Sequence, residues 1–332
     1  MRIAVIGSGS FGTAMAVAAA RAGNEVLLWA HDPEVAQTIR DTGENPDYLR
    51  GVKLDAAIRA TSELAEAARF SDRIFMVVPS HVYRGVLTEL RAHLDGAAYV
   101  ISGTKGIEND SLDPMSAISR EVLGDRLAAF AVLSGPTFAI ETARGIPSVA
   151  VVASRDVAFA QEMQHAMSSP SFRLYHSEDV TGVELAGSLK NVIAIAAGVL
   201  EGLGLGANTN AALITRGLRE ITRLGMVLGG SLETFAGLAG MGDLVLTCTG
   251  ALSRNRTVGV QLGKGQKLDD ILHDAKFVAE GIKTTKSAQQ LAEKHQIEMP
   301  ITREMHRVLY EGGSPREVIQ RLMTRSLKSE VA

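Results

Sequence analysis

The chain has 332 residues, 46% of them hydrophobic and 21% charged, enough apolar material for one large domain or two ordinary ones and unlike a disordered chain. Its 34 basic and 37 acidic side chains leave a formal charge of −3, which argues against a general nucleic-acid binder. A single cysteine, Cys248, excludes an intramolecular disulfide and a cysteine zinc cluster, and the eight histidines lack ligand-type spacing, so no metal site is expected.

Arg2 to Ile6 is a short apolar run that stops at Gly7, the pattern of a buried parallel strand. An Ala-rich helical stretch from Thr13 to Ala22 ends at Gly23, Glu25 to Trp29 reads as the next strand, and Pro33 can open a helix. Further strands are expected at Arg73 to Val78, Ala98 to Ser102, Ala129 to Leu133 and Ser148 to Ala153, with Ser80 capping a helix that ends near Leu94. Strands alternating with helices predict a parallel sheet covered on both faces. After about Ser177 only helical patterns remain: Ile214, Leu218, Ile221 and Gly225 repeat at helical spacing, and Ser314-Pro315-Arg316-Glu317 reads as a capping box. A boundary is therefore expected between residues 175 and 180, giving domains 1–178 and 179–332 with a broad shared interface. The longest nearly unbroken apolar run, Val192 to Leu200, is shorter than the roughly 20 residues of a membrane span. The N-terminus lacks a signal-peptide layout, so a cytoplasmic protein without a transmembrane segment is expected.

Gly7-Ser8-Gly9-Ser10-Phe11-Gly12 fits G-x-G-x-x-G directly after a strand and at the opening of a helix. The first glycine permits the tight turn, the second lets a diphosphate approach the backbone, and the third lets helix and strand pack closely. A plain βα turn without ligand is the competing reading. Gly263-Lys264 lacks the glycine and hydroxyl neighbours of a kinase phosphate loop. The acid that usually holds the ribose stands at the tip of the second strand, whereas here Asp32 falls just past it, and His31 could face a 2′-phosphate or simply solvent.

From Val183 to Ile195 the chain reads as a helix apolar on nearly every face, hence buried, with Lys190 and Asn191 in its middle. A lysine there either has a partner and exchanges protons near neutral pH, or snorkels to the surface. Asp243 and Thr247 are four apart and share a face if helical, suited to orienting a lysine and a substrate hydroxyl; a helix cap at Asp243 is the alternative. Ser253-Arg254-Asn255-Arg256 is dense in donors, as phosphate binding asks, though a solvated charge cluster would look similar. Cys248 has no identifiable base beside it and reads as a buried structural thiol.

Taken in order, these segments, together with Val78-Pro79-Ser80, Gly103-Thr104-Lys105-Gly106, Ser134-Gly135-Pro136-Thr137-Phe138-Ala139, Gly240-Met241-Gly242-Asp243 and Val278-Ala279-Glu280-Gly281, resemble bacterial NAD(P)-dependent glycerol-3-phosphate dehydrogenases over essentially the whole chain. The resemblance implies an N-terminal Rossmann-type doubly wound sheet followed by an all-helical domain of the 6-phosphogluconate-dehydrogenase-like type. It also implies reversible reduction of dihydroxyacetone phosphate to sn-glycerol 3-phosphate with NADH or NADPH, for glycerophospholipid synthesis, and a homodimer is expected. Carried over by position, Lys190 exchanges the proton, assisted by Asp243 and Thr247. Lys105, Gly135, Thr137, Lys190, Asn191, Asp243, Ser253, Arg254 and Asn255 hold the substrate. Gly7, Gly9, Ser10, Phe11, Gly12, His31, Lys105, Ala139, Arg254, Val278 and Glu280 contact the dinucleotide. Two positions depart from the family: Phe11 replaces a usual Trp or Tyr, and Asn210 replaces a basic residue. Rival readings are a reductase of the same superfamily acting on a hydroxy or keto acid, and a dinucleotide sensor without turnover.

Overall fold

Short runs of buried aliphatic residues separated by glycine turns fold as parallel strands, because such strands must hide both faces. The computed structural model describes residues 1–274, 278–327 and 329–330. Eight strands, β1 (Arg2–Ile6), β2 (Glu25–Trp29), β3 (Ile58–Thr61), β4 (Arg73–Met76), β5 (Ala98–Ser102), β6 (Leu127–Ser134), β7 (Ser148–Ser154) and β8 (Phe172–Ser177), form one sheet in the order β3-β2-β1-β4-β5-β6-β7-β8. Helices α1 (Ser10–Arg21), α2 (Pro33–Thr42), α3 (Leu64–Phe70), α4 (Tyr83–Ala92), α5 (Met115–Leu123), α6 (Ala139–Ala143) and α7 (Val157–Met167) accompany it. One apolar cluster packs α1 and α7 on one face and another packs α3, α4 and α5 on the opposite face. The chain reverses direction across the sheet between β1 and β4, where a doubly wound sheet opens a crevice at the strand carboxyl ends.

The expected parallel sheet fails at one place. β6 and β7 run antiparallel. The segment between them is spent on a loop at Gly135–Phe138 and on the short α6, leaving no crossover long enough to return the chain to the other end. The two edge strands, β3 and β8, carry polar residues that hid them from a search for apolar runs. Beyond Ser177 the described residues form helices only: α8 (Val180–Gly202), α9 (Ala207–Val227), α10 (Leu232–Ala236), α11 (Asp243–Thr249), α12 (Arg254–Gly263), α13 (Leu268–Asp274), α14 (Glu280–Lys294), α15 (Pro300–Tyr310) and α16 (Pro315–Met323). Pro315 does open α16, but the Ser314 side chain makes no capping hydrogen bond.

Helix α8 is the centre of this half. It is long and apolar enough to cross a membrane by composition, although no single apolar run in the sequence is, and its apolar window is wholly buried within the fold. Glycines let α12 lie directly on it. A Cβ at Gly198 or Gly202 would strike the carbonyl oxygens of Arg256 or Val260, and one at Gly259 or Gly263 those of Ile195 or Val199. Two glycine pairs four residues apart thus face each other, and the backbones touch where side chains would normally intervene. Overpacking a buried contact costs about 1–3 kcal/mol, so Gly259→Ala should lower the thermal midpoint by several degrees; an unchanged melting curve would contradict this packing.

Candidate functional site

The glycine turn is built as its spacing implies. Gly7 has φ +119°, and a Cβ there would sit 2.7 Å from the Val77 carbonyl oxygen. A Cβ at Gly12 would overlap the Gly7 carbonyl, whereas the side-chain position of Gly9 opens onto space. No side chain caps the first turn of α1, leaving its amides directed at the crevice. The turn is braced from outside. The Ser8 carbonyl accepts from the Thr13 hydroxyl at 2.9 Å and from the Asn45 amide at 2.8 Å. Asn45 escaped the sequence reading, since an Asn-Pro pair signals no more than a turn. An open glycine, inward-facing helix amides and a cleft of about 1000 Å³ fit a dinucleotide diphosphate and its nucleosides. Asp32 accepts the Glu34 amide at 2.8 Å and caps α2, while His31 stands exposed at the cleft with its ring 5.8 Å from that of Trp29.

In the same cleft, Lys190 projects from α8 and is 8% exposed. It does not snorkel to the surface: its ammonium pairs with Asp243 Oδ1, at the start of α11. Thr247, one turn on, donates its hydroxyl to the Asp243 carbonyl at 2.6 Å and lies 3.4 Å from the carboxylate. Both lie on one helical face, as their spacing implied. Lys105, beyond the end of β5, donates to the Leu133 carbonyl at 3.2 Å and to the Ser134 hydroxyl. Burial pushes its ammonium down to about 7, opposed by Asp243 and aided by Lys190. Cys248 is buried, and desolvation pushes its thiol up to about 12.

Side chains from the second half close the cleft. Asn255 donates to Asn191 Oδ1 at 2.9 Å and accepts the Gly281 amide at 2.9 Å, while Ser253 caps α12 by accepting the Arg256 amide at 3.3 Å. Arg254 reaches across to the Ser10 hydroxyl on the glycine turn. Glu280, at the start of α14, accepts from the Ser80 amide at 2.9 Å and its hydroxyl at 2.6 Å. Ser80 therefore does not cap the helix ending near Leu94; it opens a short 3₁₀ turn ahead of α4. Gly135 adopts φ +152°, with the Thr137 hydroxyl donating to its carbonyl at 3.0 Å. Ala139, at the start of α6, and the exposed Val278 complete the lining. Every residue expected to bind or react lines this one cleft, while Asn210, in the first turn of α9, stands outside its lining. Ser134, which joins two of these groups, was quoted only as part of a motif because nothing in sequence distinguishes it from any other serine.

The family model described as NAD-dependent glycerol-3-phosphate dehydrogenase N-terminus matches residues 2–160, and its C-terminus counterpart matches residues 179–320. The chain is 50% identical over 330 residues to glycerol-3-phosphate dehydrogenase [NAD(P)+] of Citrifermentans bemidjiense, covering 99% of this chain and 98% of that one. With the enzyme of the same description from Geobacter sulfurreducens it shares 51% identity over 330 residues, again 99% and 98% of the two chains. The crystal structure of glycerol-3-phosphate dehydrogenase from Coxiella burnetii superposes with a TM-score of 0.94 at 38% identity, covering 98% of this chain and 99% of that one. This chain belongs to the NAD-dependent glycerol-3-phosphate dehydrogenase family.

Proposed function

We propose that this protein interconverts dihydroxyacetone phosphate and sn-glycerol 3-phosphate with NAD(P)(H), using Lys190 as the group that gives and takes the proton. The observation that supports this best is the buried Lys190–Asp243 pair in the cleft that the glycine turn also lines. When bound, the nicotinamide supplies or accepts the hydride at the substrate's central carbon. The protein's task is to manage the charge that develops on the neighbouring oxygen. In a site from which water is excluded, an ammonium held by a carboxylate can polarise a ketone and protonate the alkoxide that replaces it. Asp243, steadied by Thr247, keeps Lys190 aimed into the cleft.

Lys105, Gly135, Thr137, Asn191, Asp243, Ser253, Arg254 and Asn255 are proposed to hold the substrate. The glycine turn with Ser10 and Phe11, together with His31, Lys105, Ala139, Arg254, Val278 and Glu280, is proposed to hold the dinucleotide. Substrate phosphate takes no part in the chemistry, so its anchoring fixes the reacting carbon and contributes to rate through position. A cytoplasmic homodimer supplying glycerol phosphate for phospholipids completes this reading.

A steady-state assay with dihydroxyacetone phosphate and each reduced cofactor tests the reaction; turnover on a keto acid instead would move the protein to another reductase class. Lys190→Ala should lower kcat by about 10²–10⁴ while NADPH binding, followed by fluorescence titration, stays nearly unchanged. A variant retaining wild-type turnover would refute the role of Lys190. Arg254→Ala should raise the KM for dihydroxyacetone phosphate by about 10- to 150-fold, the worth of a charge-assisted hydrogen bond, with cofactor affinity measured alongside because Arg254 also reaches Ser10. An unchanged KM would place the phosphate anchor elsewhere. His31→Ala should weaken NADPH more than NADH, and equal losses would show that this side chain does not read the 2′ position.

A further inference from the structure

We propose that Ser134 is a positioning residue that holds Lys105 in the cleft and joins it to the Lys190–Asp243 pair. The inference rests on the reading of that pair as the proton-transferring centre. Ser134 ends β6 and is fully buried. Its oxygen accepts from Lys105, and its single proton is directed to Asp243 Oδ2 at 3.4 Å. The other oxygen of the same carboxylate pairs with Lys190. One carboxylate thus serves two lysines, directly on one side and through a hydroxyl on the other.

Helix α8 is shaped around this arrangement. Gly187 lies three residues before Lys190, hence on the same helical face. A Cβ at Gly187 would stand 2.8 Å from Ser134 Oγ and 3.4 Å from Lys105 Nζ. The missing side chain leaves room for Lys105 to reach β6, where the Leu133 carbonyl and the Ser134 hydroxyl, from successive residues, fix its nitrogen. The charged groups facing that nitrogen are Lys190 on α8 and Asp243 on α11, and the centre of the Phe11 ring, on α1, lies 6.0 Å from it. Cys248 also faces the Lys190–Asp243 pair but stays protonated.

The consequence concerns protonation. Burial already pushes Lys105 down to about 7, so its charge near neutral pH depends on the acceptors it retains. Removing the Ser134 oxygen withdraws one acceptor from the ammonium and lowers the affinity of Lys105 for its proton further. Reduction of the ketone needs cationic groups in the cleft, so the alkaline limb of its pH profile should move toward acid. A charge-assisted hydrogen bond of ordinary strength corresponds to a displacement of about one to two pH units.

The test compares Ser134→Ala, Ser134→Thr and Gly187→Ala with the wild-type enzyme. Two readouts are followed against pH: kcat for reduction of dihydroxyacetone phosphate, and acylation of Lys105 by an amine-directed reagent, quantified by peptide mass spectrometry. Ser134→Ala should move both profiles toward acid, lowering kcat at least tenfold on the alkaline side. Ser134→Thr keeps the hydroxyl and should restore most of the profile. Gly187→Ala, which presses on the same oxygen from α8, should shift it in the direction of Ser134→Ala. Wild-type profiles in both alanine variants would overturn the proposal, as would a folded Ser134→Thr that titrates like Ser134→Ala. The acylation profile reads the Ser134–Lys105 link without turnover. It therefore separates failure of this inference from failure of the Lys190 assignment, which Lys190→Ala tests alone.

Discussion

A lysine can stand inside a helix buried on nearly every face only where a carboxylate meets it, and Asp243 supplies that carboxylate to Lys190. Breaking a buried pair of this kind by removing one partner typically costs about 3–5 kcal/mol, because the remaining charge is stranded. The requirement reaches well beyond two residues. It brings the first turn of α11 onto α8, immediately after a wide helical turn at Leu238–Gly242.

The same economy joins the sheet to the helices. Carboxylates of the second half repeatedly cap helical turns of the first. Glu280 accepts from Ser80 at the cleft, and Glu184 on α8 accepts the Ser116 amide at 2.9 Å and its hydroxyl at the start of α5. The amides at a helix start need partners, and a buried acid needs donors, so each satisfies the other. Burial pushes Glu184 up to about 7, with the Ser116 hydrogen bonds opposing that rise. Arg254 adds a contact of a third kind, from the start of α12 to the glycine turn. These contacts tie the glycine turn and the Ser80 turn to the helices that carry Lys190 and Asn255.

Local rules in the sequence located both ends of this cleft. The glycine turn was legible because two of its glycines answer constraints within a few residues, a positive φ at Gly7 and the Gly7 carbonyl pressed against Gly12. Lys190 was conspicuous because an ammonium contradicts the apolar helix around it. Asp243 and Thr247 were paired by helical spacing alone. What escaped were residues whose partners lie far along the chain. Asn45 braces a turn 37 residues away, and Ser134 meets Asp243 109 residues later. Ser80 was misread for the same reason: its hydroxyl is claimed by Glu280, 200 residues on, rather than by its own helix.

The amino-acid sequence by itself determined six of the eight strands, the glycine turn and the burial of α8, because periodicity and glycine spacing act over one or two turns of chain. It also determined which polar side chains had to find partners. Tertiary structure alone decided who those partners are. The antiparallel β7, the glycine-to-glycine contact of α8 with α12, and the chain from Lys105 through Ser134 to Asp243 and Lys190 follow from surfaces meeting in space. The physical reason is one of range. Backbone sterics and side-chain alternation are set by near neighbours, whereas a buried charge is satisfied by whatever group the packing of distant segments brings within hydrogen-bond reach.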